Sequence, residues 1–182
     1  MNLSKRSEYA VRVMVDVAMA AARGRRLVSL AALAEAQKIS PAFLEQILSS
    51  LRQAHFLTST RGKMGGYSLA RSADEIQMSE LLEFLEGPLV SAACVAGAKP
   101  GCMCPDPERC GLRWMLERIR TALSGVMDGL TLGEVARQTL GRCEADGFLP
   151  PILRQEWEGS GQRKKLSAGR GRRGESEPEY LI

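Results

Sequence analysis

The chain is poor in the residues that catalysis and membrane insertion usually need. Among its 182 residues there is a single histidine, His55, and it lies far along the sequence from the cysteines. No nucleophile–base pair and no glycine-rich phosphate loop is present, so the sequence predicts a protein that is not an enzyme. No uninterrupted apolar run approaches the roughly 18 residues that indicate a membrane-spanning helix, so no membrane partner is expected.

The first residues resemble a secretory signal only superficially. Lys5 and Arg6 precede an apolar run, but Arg12 and Asp16 interrupt it, and a signal core tolerates charge poorly. Cysteine is scarce and odd in number, at five residues, which favours a reducing, cytoplasmic location over a disulfide framework.

Positive charge is concentrated in the first third of the chain. Residues 1–72 carry 11 Lys/Arg against 4 Asp/Glu, whereas residues 73–149 carry 7 against 12. A basic segment of this kind suits a polyanion such as double-stranded DNA, although a solvated basic surface is the plain alternative.

The basic third has the order of elements of a winged helix-turn-helix. A helix that is apolar on most sides is predicted over 4–23, a second helix capped by Ser29 runs to about Gln37, and a third begins at Ser40-Pro41 and runs to about Ala54. The stretch FLTSTRGKMGGYSLA then predicts a β-hairpin with a basic tip. In such folds the second helix of the pair enters the major groove of DNA.

The rest of the chain predicts two further regions. A helix is expected over 75–87, then a cysteine-bearing loop, then a long helix with an apolar stripe suited to a second copy: Leu112, Leu116, Ile119, Leu123 and Val126. Thr131 begins a short terminal helix. We therefore predict a mainly α fold, with a winged helix-turn-helix over 1–72, a cysteine loop and dimerisation helix over 73–143, and a disordered tail over 144–182.

Four of the five cysteines lie within one short segment, SAACVAGAKPGCMCPDPERCGL. Crowded thiolates bind a soft metal, an iron–sulfur cluster or each other. The spacing lacks the paired C-x2-C knuckles of structural zinc sites, and a thiol switch without metal is a further alternative. Cys143 lies outside the cluster and is interpreted as an incidental thiol.

Several stretches together resemble the IscR/NsrR/RirA family of winged-helix transcription regulators. They are the opening MNLSKRSEYAVRVMVDVA, the helix SPAFLEQILSSLRQAHFL, the wing TSTRGKMGGYSLA, and a cysteine loop followed by a long helix and TLGEV. The resemblance covers roughly residues 1–140. It implies a homodimeric repressor whose DNA affinity depends on a two-iron or four-iron cluster held by three cysteines of the loop.

The resemblance also suggests the ligands of that cluster. Cys104 and Cys110 match the second and third ligands, and Cys94 stands where the first is expected, although nine residues rather than the usual five or so separate it from Cys104. Cys102 is an additional candidate. IscR-like members place a histidine as fourth ligand where this chain has Arg113, whereas NsrR-like members use an acidic residue of the first helix, and Glu8 occupies that position.

The candidate DNA contacts come from three places in the basic third. Near the start of the third helix, polar or exposed side chains are suited to base edges: Ser40, Ala42, Phe43, Glu45 and Gln46. Arg61 at the wing suits a narrow minor groove. The candidate phosphate contacts are Lys5, Arg6, Arg52 and Lys63. The alternatives to a cluster-controlled regulator are a clusterless relative that senses thiols or a protein partner, and a metal or thiol enzyme.

Overall fold

The computed structural model describes residues 3–62, 64–88 and 109–154. Its central element is the helix α1, Lys5–Ala22, which begins where the Ser4 hydroxyl accepts a hydrogen bond from the Ser7 N–H at 3.2 Å. Buried apolar residues lie on most of its sides, among them Val13, Met14 and Val17. Most of the remaining elements pack against this helix, as expected for a segment with little polar surface.

The helix-turn-helix follows the predicted boundaries. Helix α2, Leu30–Gln37, is capped by Ser29 and ends at Lys38, whose backbone is left-handed (φ 54°). Helix α3, Pro41–Gln53, is capped by Ser40, and its inward face is fully buried: Leu44, Ile47, Leu48 and Leu51. The spacing of these four residues places them on one face of the helix, which leaves the opposite face for a ligand.

The wing is a two-stranded antiparallel hairpin of β1, Leu57–Thr60, and β2, Gly66–Leu69. Val28 extends it on one side, because Val28 and Tyr67 exchange backbone hydrogen bonds of 2.8 and 2.9 Å. Gly66 permits this approach, since a Cβ there would lie 2.7 Å from the Val28 carbonyl oxygen. The wing is therefore attached to the loop that precedes α2.

The helix predicted over 75–87 begins later than expected. Residues Ala73–Glu75 form a 3₁₀ turn, and α4 occupies Met78–Glu86. Between them the chain is extended, because Ile76 and Met78 bond to the backbone of Leu132 and Leu130 at 2.8 and 2.9 Å. A partner distant in sequence thus prevents the first helical turn, and apolar periodicity does not reveal such a partner.

The last part of the described chain contains α5, Gly111–Met127, α6, Leu132–Ala145, and α7, Pro151–Arg154. Thr131 caps α6 as predicted, by accepting from the Glu134 N–H at 3.1 Å. The helix is not short, however, and it packs along α1. Residues 144–154, assigned above to the disordered tail, complete α6 and form α7, whose Ile152 is fully buried. Residues 155–182 lie outside the described chain.

Candidate nucleic-acid interface and cysteine site

The outward face of α3 presents polar side chains near its start. Ala42, Glu45 and Gln46 are exposed, on the face opposite the buried leucines. Ser40 is also exposed, but its hydroxyl already accepts a hydrogen bond from the Phe43 N–H at 3.3 Å. Among these four exposed residues, Glu45 and Gln46 therefore have the long polar side chains that can extend outward from the start of α3.

Phe43 has a structural role that the sequence did not reveal. It is half-buried, and its ring meets the Tyr9 ring edge-on, with centroids 6.0 Å apart. The guanidinium of Arg12 lies 5.6 Å from the centre of the same Tyr9 ring. Phe43 thus fixes the start of α3 against α1, a contact of a kind typically worth roughly 0.5–1.5 kcal/mol beyond its burial.

Basic residues surround α3 on two sides. On the side of α1, Arg6 donates a hydrogen bond to the Ser50 hydroxyl at 2.6 Å. On the side of the wing, Arg52 lies 3.5 Å from the Ser59 hydroxyl, and Arg61 is exposed near the hairpin tip. The structure therefore places Arg6 and Arg52 beside the outward face of α3. We call these two residues the basic margin of α3, because cations at the edge of a reading helix commonly contact DNA phosphates. Lys63 lies outside the described residues.

The candidate cluster ligands are only partly described. Cys94, Cys102 and Cys104 lie outside the described residues, whereas Cys110 is half-buried at the N-cap position of α5. The positive end of a helix dipole favours an anionic thiolate. Within residues 3–62, 64–88 and 109–154, no group of three His, Cys, Asp or Glu side chains is arranged to hold a metal ion.

Glu8 is half-exposed on the first turn of α1, between two cations. Its carboxylate lies 3.0 Å from the Lys5 ammonium and 3.7 Å from the Arg12 guanidinium. The hydrogen bond and charge of Lys5, together with the charge of Arg12, hold the pKa of Glu8 below its ordinary value. Glu8 is therefore an ionised carboxylate, the form that binds metal, although Lys5 and Arg12 compete for it. The Lys5 side chain remains largely exposed in this pair, and its role as a phosphate contact stays a prediction.

Glu86 connects α4 to the same end of α1. Its side chain accepts a hydrogen bond from the Ser4 N–H at 2.7 Å. Hydrogen bonds from the Ser7 hydroxyl and from Ser4 lower the pKa of Glu86. No local pattern in the sequence marks Glu86 apart from its position shortly before Gly87-Pro88. The cysteine-bearing segment thus follows directly after a helix that is attached to the N-terminus of α1.

Arg113, which stands where IscR-like proteins have a histidine ligand, bonds to Glu117 one turn along α5 at 2.8 Å. A guanidinium cannot ligate iron. His55 is exposed between α3 and β1, with a left-handed backbone (φ 59°). Arg113 is therefore no ligand, and His55 lies 55 residues before Cys110 along the chain.

The fold and the polar outer face of α3 define a winged helix-turn-helix DNA-binding protein. A family model described as "Rrf2: Iron-dependent Transcriptional regulator" matches residues 3–138, and the chain belongs to this family. By this description of the family, the chain is a transcription regulator. In the part of the chain that the structure describes, no helix is both long and apolar enough to cross a membrane.

Individual relatives agree with the family. The chain is 42% identical over 101 residues to the HTH-type transcriptional regulator IscR of Cereibacter sphaeroides, a match that covers 56% of this chain and 65% of that protein. Among solved structures, the global cysteine regulator CymR of B. subtilis superposes with a TM-score of 0.60 at 28% identity, covering 76% of this chain and 98% of that one. T. potens IscR superposes with a TM-score of 0.58 at 27% identity, covering 76% and 88%.

Proposed function

We propose that the chain is a homodimeric, cytoplasmic transcriptional repressor whose affinity for DNA is controlled by an iron–sulfur cluster. The observation that carries the proposal is the combination of an exposed polar face on α3 with thiols clustered immediately before α5. The first feature suits base recognition, and the second suits a cluster.

The reading surface is formed by α3 and its basic margin. Glu45 and Gln46 are the proposed base contacts, because glutamine pairs with adenine and glutamate accepts from cytosine. Arg61 is the proposed minor-groove residue, and Arg6 and Arg52 are proposed to bind phosphates. Ser40 and Phe43 serve mainly to cap and seat the helix, and Ala42 is small enough to let DNA approach.

A second copy of the chain is proposed to cover α5. In the described chain this helix has no buried residue, and three residues of its apolar stripe are exposed: Leu112 58%, Ile119 43% and Val126 66%. The other two, Leu116 and Leu123, are half-buried. Apolar residues repeated along one face of a long helix commonly pack against a copy of that helix. A dimer places two α3 helices on one duplex, as a pseudo-palindromic site requires.

The donor set fits an iron–sulfur cluster, because thiolates are its usual ligands. Cys104 and Cys110 are proposed to hold it, with Cys94 as the first ligand or Cys102 in its place. When bound, the cluster would supply a centre that responds to iron, oxidants or nitric oxide. Glu8 of the second copy is proposed as the fourth ligand, which Lys5 and Arg12 must then release. Because α1 also seats α3 through Tyr9 and Phe43, engagement of Glu8 would set the spacing of the two reading helices.

A clusterless regulator of the same fold is the second candidate. It is favoured by the superposition on the cysteine regulator CymR, which is as good as that on T. potens IscR. In that case the thiols would sense directly, by oxidation or through a partner.

Anaerobic purification separates the two candidates. The cluster hypothesis expects brown protein with near-stoichiometric iron and sulfide, loss of both in Cys110→Ala, and retention in the matched control Cys143→Ala. Cluster-loaded and cluster-free protein should differ in affinity for a promoter duplex. Colourless protein whose DNA affinity responds to oxidant would instead support the clusterless regulator.

A further inference from the structure

An open groove of about 470 Å³ lies between the C-terminal end of α1, the base of the wing and α6. Small residues line it, including the buried Ala18 and Ala136. Its charged lining consists of four arginines and one carboxylate: Arg25, Arg26, Arg71, Arg137 and Asp74. Neither DNA reading nor cysteine chemistry assigns a role to this groove.

Arg137 is held in place by two carboxylates. It donates to Asp74 Oδ1 at 2.7 Å and to Glu134 Oε2 at 3.2 Å, and these contacts raise its pKa. Asp74 in turn lies against Gly133, where a Cβ would come within 2.2 Å of its Oδ1. Glycine at position 133 therefore makes room for the carboxylate that orients Arg137 at the groove.

Two further guanidiniums are also oriented. Arg71 pairs with Glu80, and its guanidinium lies 5.7 Å from the centre of the Phe56 ring. Arg25 donates to the carbonyl oxygens of Ile152 and Leu153 at 2.8 and 3.1 Å. A side chain that is already fixed loses less conformational entropy when a ligand binds. Arg26 is exposed beside them.

The groove remains positive after its neighbours are counted. Its lining holds four guanidiniums and the Asp74 carboxylate, and Glu80 and Glu134 pair with two of the guanidiniums from outside the lining. Four positive charges against these three carboxylates leave one positive charge in excess. Guanidiniums match the geometry of carboxylate and phosphate groups, and small-molecule sites commonly enclose about 300–1,000 Å³. We propose that this groove binds a small organic anion through its carboxylate or phosphate groups.

Such a ligand would contact the wing and the C-terminal helix at once. Ser68 and Leu69 of β2 line one side of the groove, and Ala136 and Arg137 of α6 line another. The site thus joins the DNA-reading part of the chain to the helix that follows α5. None of the residues that line the groove is a candidate cluster ligand, so the inference does not depend on cluster binding.

Isothermal titration of the full chain with citrate and with pyrophosphate tests the proposal. At least one probe is expected to bind at one site per chain, and the tighter one identifies the carboxylate or the phosphate class. Arg26→Gln, on an exposed loop, should weaken binding about tenfold, as expected for loss of a charge-assisted hydrogen bond. Arg142→Gln is the matched control, because Arg142 lies on α6 but lines a different groove. It should bind like the unchanged chain.

A second pair of variants separates this groove from the DNA surface. Arg71→Gln should weaken binding as Arg26→Gln does, and Arg61→Gln at the wing tip should not. The proposal is overturned if neither probe binds, if both groove variants bind normally, or if Arg61→Gln is the variant that loses binding. Thermal melting of each variant confirms that it is folded.

Discussion

The side-chain amide of Gln37 in α2 donates a hydrogen bond of 2.5 Å to the carboxylate of Asp16 in α1, and both side chains are buried. Burial raises the pKa of Asp16 to about 6, although the bond from Gln37 and the charge of Arg12 act in the opposite direction. The other amide atom, Gln37 Oε1, has no hydrogen-bond partner among the described residues.

Asp16→Asn should therefore stabilise the chain at neutral pH. The folded state holds the Asp16 proton more tightly than the unfolded chain, so this stability is complete below pH ~4 and is lost as the pH rises to about 6. The loss corresponds to about 3 kcal/mol at most. Asparagine has no charge to bury, so we expect a gain on the order of 1–3 kcal/mol at pH 7.5.

Urea unfolding of both proteins between pH 4.5 and 8 provides the measurement. The difference between them should grow as the pH rises and level off above about pH 7. Glu83→Gln, an exposed carboxylate on α4, is the control and should show no such difference. A variant Asp16→Asn that is less stable at every pH would contradict the explanation.

Gly66→Ala should detach the wing from the loop before α2. The new Cβ would lie 2.7 Å from the Val28 carbonyl oxygen, and neither backbone can move without breaking the Val28–Tyr67 pair. We expect a loss of about 1–3 kcal/mol in the free energy of unfolding. Gly141→Ala in α6 should instead gain about 0.5–1 kcal/mol, because among the described residues the new Cβ would meet no atom within 4 Å outside its own helix turn. Equal effects of the two substitutions in thermal unfolding would refute the steric argument.

Local signals in the sequence were sufficient for the helix-turn-helix and the wing. Serine caps at Ser29 and Ser40, and proline at the first position of α3, act within one turn of the chain, so their effect is visible without the fold. The four buried residues of α3 were likewise predictable from their spacing. The stretch FLTSTRGKMGGYSLA predicted the hairpin, and Gly66 shows why glycine is needed there.

Long-range contacts account for what the sequence did not reveal. The extended stretch before α4 depends on Leu130 and Leu132, more than fifty residues later. Helix α7 depends on burial of Ile152 and on Arg25, at the other end of the chain. In the candidate sites, the Tyr9–Phe43 contact and the Glu86–Ser4 hydrogen bond join separate helices. No local pattern encodes such pairs.

Glu8→Ala tests the proposed fourth ligand. If Glu8 binds the cluster across the dimer, the variant should still assemble a cluster through its thiols, but with an altered absorption spectrum and faster loss on exposure to air. Cys102→Ala should then change little. The opposite result would assign Cys102 as the ligand and leave Glu8 as the ionised partner of Lys5 and Arg12.

Gln46→Ala and Arg61→Ala should weaken DNA binding in different ways. A bidentate contact from Gln46 would cost roughly 1–3 kcal/mol at particular base pairs and leave other sequences unaffected. Loss of Arg61 should weaken binding to most sequences and reduce the dependence of affinity on salt, because fewer counterions are released. Gln53→Ala at the far end of α3 is the control, since the first turns of a reading helix contact the bases. Footprinting, and titration with a promoter duplex at several salt concentrations, measure these effects. Unchanged affinity and unchanged protection in both variants would mean that this face of α3 and the wing tip do not contact DNA.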